Sequence, residues 1–237
     1  MSPGIANLIA DGGVSRDRIT IVPNGSDIAL FSGTNAPRIL GTAADCLIAL
    51  YAGTHGIANN LDAVLDAAAE LKRRGEKKVK IVLCGAGQLK QSLQDRAQRE
   101  GLDNVVFLAP VPKDKIGEIM AGADLGLQVL MDVPVFYECT SPNKFFDYIA
   151  AGLPVLTNYP GWVANMIEEN NCGYAVPPQN VQAFADALQA AASNKSKLKE
   201  MGLNANKLAR SEFDRDDLAN KLLASLEVAK AYNHAKG

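Results

Sequence analysis

From residue 47 onward, unbroken apolar runs alternate with stretches of helical periodicity. The run LIALYAG (47–53) has no polar position to mark a wet face, so it predicts a strand buried on both sides. In NNLDAVLDAAAELKRRG (59–75), Leu61, Val64, Leu65, Ala68 and Leu71 recur on one helical face, and Gly75 supplies the stop. Strands are then predicted at 79–85, 104–109, 125–130, 154–158 and 173–177, with helices at 88–100, 113–122, 142–151 and 161–169 between them. Long helical patterns fill 180–192, 195–210 and 215–231. Continuous rather than alternating apolar strands, each followed by a helix, specify an α/β fold: a doubly wound parallel Rossmann-like sheet of about six strands. Ligands of such sheets sit beyond the carboxyl ends of the strands, where the strand order reverses, so chemistry is sought in the loops that follow strands.

The first forty residues break the alternation. MSPGIANLIADGGVSRDRITIVPNGSDIALF predicts one short helix, one strand and a turn, as though the chain opened partway through an element. The expected division is therefore 1–40, an interdomain linker with the remnant of a preceding domain; 41–211, a Rossmann-like domain; and 212–237, a C-terminal helix.

Composition changes this picture little. The 237 residues are 48% hydrophobic and 21% charged, an ordinary globular mixture with room for a substantial core. A net charge of −2 gives no basic field to draw in nucleic acid, and no such partner is expected. The four cysteines, at 46, 84, 139 and 172, are spread too widely for a zinc motif and read as free thiols of a reducing compartment. No apolar run approaches the ~20 residues of a membrane span. The expected location is cytoplasmic, with attachment to the inner membrane surface left open.

Four loops hold the candidate chemistry. Gly53, Thr54, His55 and Gly56 follow the first strand, and the glycines let backbone amides approach an anion closely. His55 reads either as a structural or solvated histidine or as a phosphate contact. CGAGQL (84–89) resembles half of a G-x-G-x-x-G fingerprint, but Leu89 and Lys90 stand where a third glycine belongs. No acidic residue occupies a ribose-binding spacing beyond it, which argues against a dinucleotide cofactor. Gly85 and Gly87 suit a tight strand-to-helix turn as well as a ligand.

The third loop, VPVFYECTSPNK, runs into a short helix for which Ser141 is the predicted N-cap and Pro142 the first helical residue; Gly152 and Pro154 close it. Its N-terminal amides and partial positive charge then face the end of the sheet. Lys144 in the first turn is disfavoured by the helix dipole by about 0.3–1 kcal/mol, which makes sense where an anion occupies the site. Asp147, four residues beyond Asn143 on the same face, can accept ribose hydroxyl hydrogen bonds worth about 1.5–3 kcal/mol each. A Lys144–Asp147 surface pair worth under ~1 kcal/mol is the alternative. In the fourth loop, NYPGW (158–162), the only tryptophan stands beside a Pro-Gly turn, as a pocket wall or as a core side chain.

Taken together, these segments resemble the C-terminal half of the retaining GT-B glycosyltransferases of the glycosyl transferases group 1 family. IVPNGSDIALF (21–31) is similar to the family's Pro-Asn-Gly-x-Asp-x-x-x-Phe passage between domains. LYAGTHGIANNLDAVLDAAAEL, IVLCGAGQLKQSL and LDNVVFLAPVPKDKI resemble its first three strands with their loops. SPNKFFDYIAAGLPVL resembles the donor-binding helix, and NCGYAVPPQNVQAFADAL the strand and helix that follow. Two departures stand out. The family's Glu-x7-Glu pair becomes Cys139, with Glu138 one residue off, and Asp147; and an Arg and a Lys common after the first strand become Thr54 and Asn59.

The resemblance implies a GT-B half-domain that binds a nucleotide-sugar, UDP-linked, with no metal or other cofactor. Lys144 and the helix amides would meet the diphosphate, Asp147 would hold the ribose, and Val111 and its neighbours would flank the base. The Asn158–Trp162 loop would line the sugar side. Gly53, Thr54, His55, Gly56, Gly85, Glu138, Ser141, Pro142 and Asn143 complete the expected donor-binding set. The acceptor, a glycan or lipid-linked sugar, would be oriented by a domain preceding residue 1, so the chain alone is expected to bind donor and transfer little. The SPNK pattern is similar to a branch that builds bacterial surface polysaccharides. Two rivals remain: a non-catalytic nucleotide- or partner-binding module, and a sugar-nucleotide epimerase of the same architecture.

Overall fold

The computed structural model describes residues 1–31, 38–39 and 45–234. Among them, six parallel strands form one sheet: β1 (Leu47–Ala52), β2 (Val79–Cys84), β3 (Val105–Leu108), β4 (Leu125–Gln128), β5 (Val155–Thr157) and β6 (Gly173–Ala175). Their order is β3-β2-β1-β4-β5-β6, so the winding reverses between β1 and β4. The helices are α1 (Pro3–Asp11), α2 (Ile28–Phe31), α3 (Leu61–Arg73), α4 (Lys90–Arg99), α5 (Ile116–Ala121), α6 (Pro134–Cys139), α7 (Asn143–Ala150), α8 (Trp162–Glu169), α9 (Val181–Ser193), α10 (Lys195–Glu212) and α11 (Arg215–His234).

The sheet is covered on both sides, which is why its strands are apolar throughout. Leu47, Ala49 and Tyr51 of β1 pack with residues of α3, α4 and α9, whereas Ile48, Leu50 and Ala52 pack with α7, α8 and α10. Helix α7 lies close against β4. Gly126 of β4 has no Cβ, and one there would come 2.5 Å from the Tyr148 ring. The same tyrosine's hydroxyl oxygen accepts the Ala52 N–H at 2.8 Å, so one side chain fixes α7 against the carboxyl end of β1.

Two features differ from expectation. ITIVP (19–23) joins no strand. The chain just after it is held by the C-terminal helices instead, with Ser26 N donating to Phe213 O and Arg215 N to Ser26 O. Helix α6 replaces what reads in sequence as loop; its six residues are too few to show a period. The boundary expected between residues 40 and 41 lies outside the described residues.

Candidate functional site

Two adjoining cavities open beyond the carboxyl ends of β1, β2 and β3. One, about 330 Å³, is lined by Gly53, Thr54, Cys84, Gly85 and Pro110. The other, about 350 Å³, is lined by Gly25, Lys113, Asn143, Asp147 and Arg215. Val111 and Ile116 belong to both and form the shared wall. A larger cavity of about 500 Å³ lies near Asn60, Asp132, Asn158 and Gln179. Much of its polar lining is already engaged within the protein: Asn158 bonds both backbone groups of Leu130, and Gln179 bonds Asp132. The paired cavities, which adjoin the start of α7, are the stronger candidate site.

Helix α7 begins one residue later than expected. Pro142 is the N-cap, with extended backbone (φ −77°, ψ 116°), and no side chain caps the helix. Ser141 is not the cap because its hydroxyl oxygen accepts the Asn24 N–H at 3.1 Å. Asn24 also donates from Nδ2 to Ser141 O at 2.7 Å and to Asn143 Oδ1 at 2.8 Å. The first-turn amides are thus left without a side-chain acceptor, a polarity suited to an anion.

Lys144 and Asp147 do not pair. Lys144 Nζ donates to Asn59 Oδ1 at 2.9 Å and lies 4.8 Å from the centroid of the Tyr51 ring. Among the described residues it has no carboxylate partner, and burial pushes its ammonium pKa down to about 8. Gly53 leaves room for the lysine stem; a Cβ there would come 3.1 Å from Lys144 Cε. Asp147 Oδ1 accepts the Ser26 hydroxyl at 2.6 Å. Its pKa is raised by burial, against the opposing pull of that hydrogen bond and of Lys113 and Arg215.

The glycine loops have a structural cause as well. A Cβ on Gly85 (φ 151°) would fall 1.9 Å from Gly53 O, and one on Gly87 (φ 154°) would fall 2.4 Å from His55 O. The two loops therefore cross backbone against backbone, while Gly85 also faces the first cavity. Gly56 carries no such constraint, since its nearest neighbour would be an ordinary 3.5 Å away. Lys90, at the missing third-glycine position, ties the crossing by donating to Gly85 O and Leu108 O, both at 2.7 Å.

Six residues of the expected donor set line neither cavity: His55, Gly56, Glu138, Ser141, Pro142 and Lys144, the last held beside the first cavity by Asn59 and Tyr51. The His55 ring is fully buried between Tyr51 and Phe107 and lines neither cavity. Its phosphate-contact reading fails because the loop crossing turns the ring into the core. Glu138 sits on α6, exposed, with Oε1 2.9 Å from where a Gly161 Cβ would be, and lines neither cavity. Trp162 is a core side chain: its ring packs on Phe146 and its Nε1 donates to Thr140 O at 2.6 Å. Thr54, Gly53, Gly85, Val111, Asn143 and Asp147 do line the paired cavities. Sequence reasoning missed Tyr51 and Lys113, each two residues from an expected site residue, and Asn24, Ser26 and Arg215, which reach the site across long stretches of chain. The PNG segment was the one available signal.

Among the described residues, no three His, Cys, Asp or Glu side chains gather where a metal ion could sit. No helix among them is long and apolar enough to cross a membrane. All four cysteines are free, Cys84 and Cys172 buried, Cys46 and Cys139 partly so.

The profile of the family described as glycosyl transferases group 1 matches residues 34–208. The D-inositol 3-phosphate glycosyltransferase of Nocardia farcinica is 29% identical over 203 residues, covering 81% of this chain and 44% of the relative. The enzyme of that name from Corynebacterium urealyticum is 28% identical over 189 residues, covering 72% of this chain and 42% of the relative. The chain thus spans less than half the length of these relatives. Anabaena HepE, solved in complex with UDP and glucose, superposes with a TM-score of 0.79 at 20% identity, covering 96% of this chain and 62% of HepE. S. aureus TarM, solved with UDP and other ligands, superposes with a TM-score of 0.73 at 17% identity, covering 92% of this chain and 41% of TarM.

Proposed function

The chain belongs to the glycosyl transferases group 1 family, and from that premise we propose that it is the donor-binding half of a retaining GT-B glycosyltransferase. Its donor is a UDP-linked sugar and its acceptor a hydroxyl of a glycan or lipid-linked sugar in bacterial surface polysaccharide synthesis, at the cytoplasmic face of the membrane. The observation that carries this reading is Lys144: a half-buried ammonium with no carboxylate partner among the described residues, in the first turn of an uncapped helix. Holding a cation there has an electrostatic cost that a bound diphosphate would offset.

In this reading the nucleoside lies across the paired cavities, with the base against Val111 and Ile116 and the ribose at Asp147. The diphosphate then reaches Lys144 and the α7 amides. As the acceptor hydroxyl attacks the anomeric carbon on the face the diphosphate leaves, negative charge gathers on the departing phosphate oxygens. Lys144 and the amides are preorganised donors for that charge. No cofactor is assigned a role; the nucleotide-sugar is a substrate.

Calorimetric titration with UDP, GDP and inorganic phosphate, beside a Lys144→Ala variant, tests the proposal. Micromolar to millimolar UDP binding is expected, weakened roughly tenfold or more in the variant, as for loss of a charged hydrogen bond. UDP binding no tighter than phosphate, or untouched by the variant, would favour the non-catalytic module and overturn the assignment.

A further inference from the structure

The segment ahead of the sheet reaches the donor site at two points. Asn24 grips the start of α7 through Ser141 and Asn143. Two residues on, Ser26 is fully buried, and its hydroxyl donates to Asp147 Oδ1 at 2.6 Å. The backbone of Ser26 is clamped on both sides, since its N–H donates to Phe213 O at 3.0 Å and its carbonyl accepts from Arg215 N at 3.1 Å. Gly25 beside it has no space to relax: a Cβ would fall 2.5 Å from both Phe213 O and Leu218 Cδ1. The hydroxyl that meets Asp147 is therefore carried on a backbone fixed by the junction of α10 and α11.

A short carboxylate turns about its stem unless something holds it. Here Oδ1 is held, while Oδ2 has no hydrogen-bond partner among the described residues, and Asp147 lines the 350 Å³ cavity. The charged groups facing Asp147 are Lys113, before α5, and Arg215, at the start of α11, both lining the same cavity. On its own helix, Lys144 is engaged by Asn59 instead.

We propose that Ser26 is a positioning residue: its hydroxyl fixes the Asp147 carboxylate so that Oδ2 alone is presented to the nucleotide, and the site reads one ribose hydroxyl more strongly than the other. This deepens the donor assignment and rests on it. The clamp turns a carboxylate able to accept both hydroxyls of the diol into a directional acceptor for one. Lys113 and Arg215 support it by favouring the charged form.

Two measurements on the full chain test this. The first needs no ligand: the Asp147 carboxyl is titrated by NMR in the unsubstituted protein and in Ser26→Ala. The pKa of Asp147 rises in the variant, because the lost hydroxyl donated to the charged form; an unchanged pKa overturns the proposal. Ser26→Cys, a weaker donor of similar size, falls between the two and serves if the alanine variant does not fold. The second compares UDP with its 2′-deoxy and 3′-deoxy analogues by calorimetry. In the unsubstituted protein one analogue loses roughly tenfold in affinity and the other little, and Ser26→Ala brings the two together. Equal losses in the unsubstituted protein, or a ratio unmoved by the variant, overturn the proposal. Absence of any UDP binding defeats the donor assignment itself, and the NMR titration still decides the role of Ser26.

Discussion

Lys144 and Asn59, 85 residues apart in the chain, meet beside the cleft, with Lys144 Nζ donating to Asn59 Oδ1 at 2.9 Å. A neutral amide is a weak match for an ammonium that burial has pushed down to a pKa of about 8. Between pH 8 and 10.5 the unfolded chain holds a proton that the folded chain has released, so stability rises with pH across that window. The expected rise is of order 1–2 kcal/mol. Lys144→Met should flatten it and raise the thermal midpoint at pH 7, while weakening UDP binding. Midpoints measured from pH 7 to 9.5, below the range where tyrosines ionise, check this; equal slopes in the two proteins would refute it.

His55 carries a second pH dependence of opposite location. Its ring is fully buried and neither ring nitrogen has a partner among the described residues, so burial, aided by Lys90, holds its pKa below 6.5. The unfolded chain takes up a proton as pH falls through 6.5 while the folded chain does not, and stability is lost in that direction. His55→Phe should stay within about 1 kcal/mol of the parent at pH 7.5, because the ring packs on Tyr51 and Phe107. It should also remove the steeper fall in thermal midpoint below pH 6.5.

The glycines of the site separate into two kinds. Gly85→Ala combines a φ of 151° with a contact of 1.9 Å to Gly53 O, and is expected to cost at least about 3 kcal/mol. Gly56→Ala meets only a 3.5 Å contact and should cost under about 1 kcal/mol. Urea midpoints of the two variants, taken side by side, distinguish a backbone crossing from a loop kept open for ligand alone.

Tyr148→Phe leaves the Ala52 N–H without its acceptor in the core. A loss of about 1–3 kcal/mol is expected, the cost of an unpaired buried donor. Because that bond sets α7 against β1, UDP affinity should fall too. A destabilised variant with unchanged affinity would mean that α7 is positioned by its other contacts.

What could be read from sequence follows from local physics. Leu47 to Ala52 can be placed as a doubly buried strand because both faces of a covered parallel sheet demand apolar residues. Leu61, Val64, Leu65, Ala68 and Leu71 define α3 because 3.6-residue periodicity puts them on one side. The strand-helix alternation, and the place of Asp147 and Lys144 on one short helix at the sheet's end, follow from such patterns. Helix α6 was not legible, since Val133 to Tyr137 is rich in β-branched and aromatic residues and too short for a period. Nor was the fate of ITIVP, which reads as a strand until the clamp on Ser26 carries it past the sheet.

The partners of the site's side chains lay beyond sequence altogether. Whether Lys144 met Asp147 or Asn59, whether Ser141 capped its helix or accepted from Asn24, and whether His55 faced phosphate or core were settled by contacts between residues far apart in the chain. Ser26 and Asp147 stand 121 residues apart, and their 2.6 Å bond exists because β1, β4 and the α10–α11 junction are stacked in one order. Burial and period are written into neighbouring residues. Which polar groups meet is decided when the sheet closes and each must find a partner among those brought within reach.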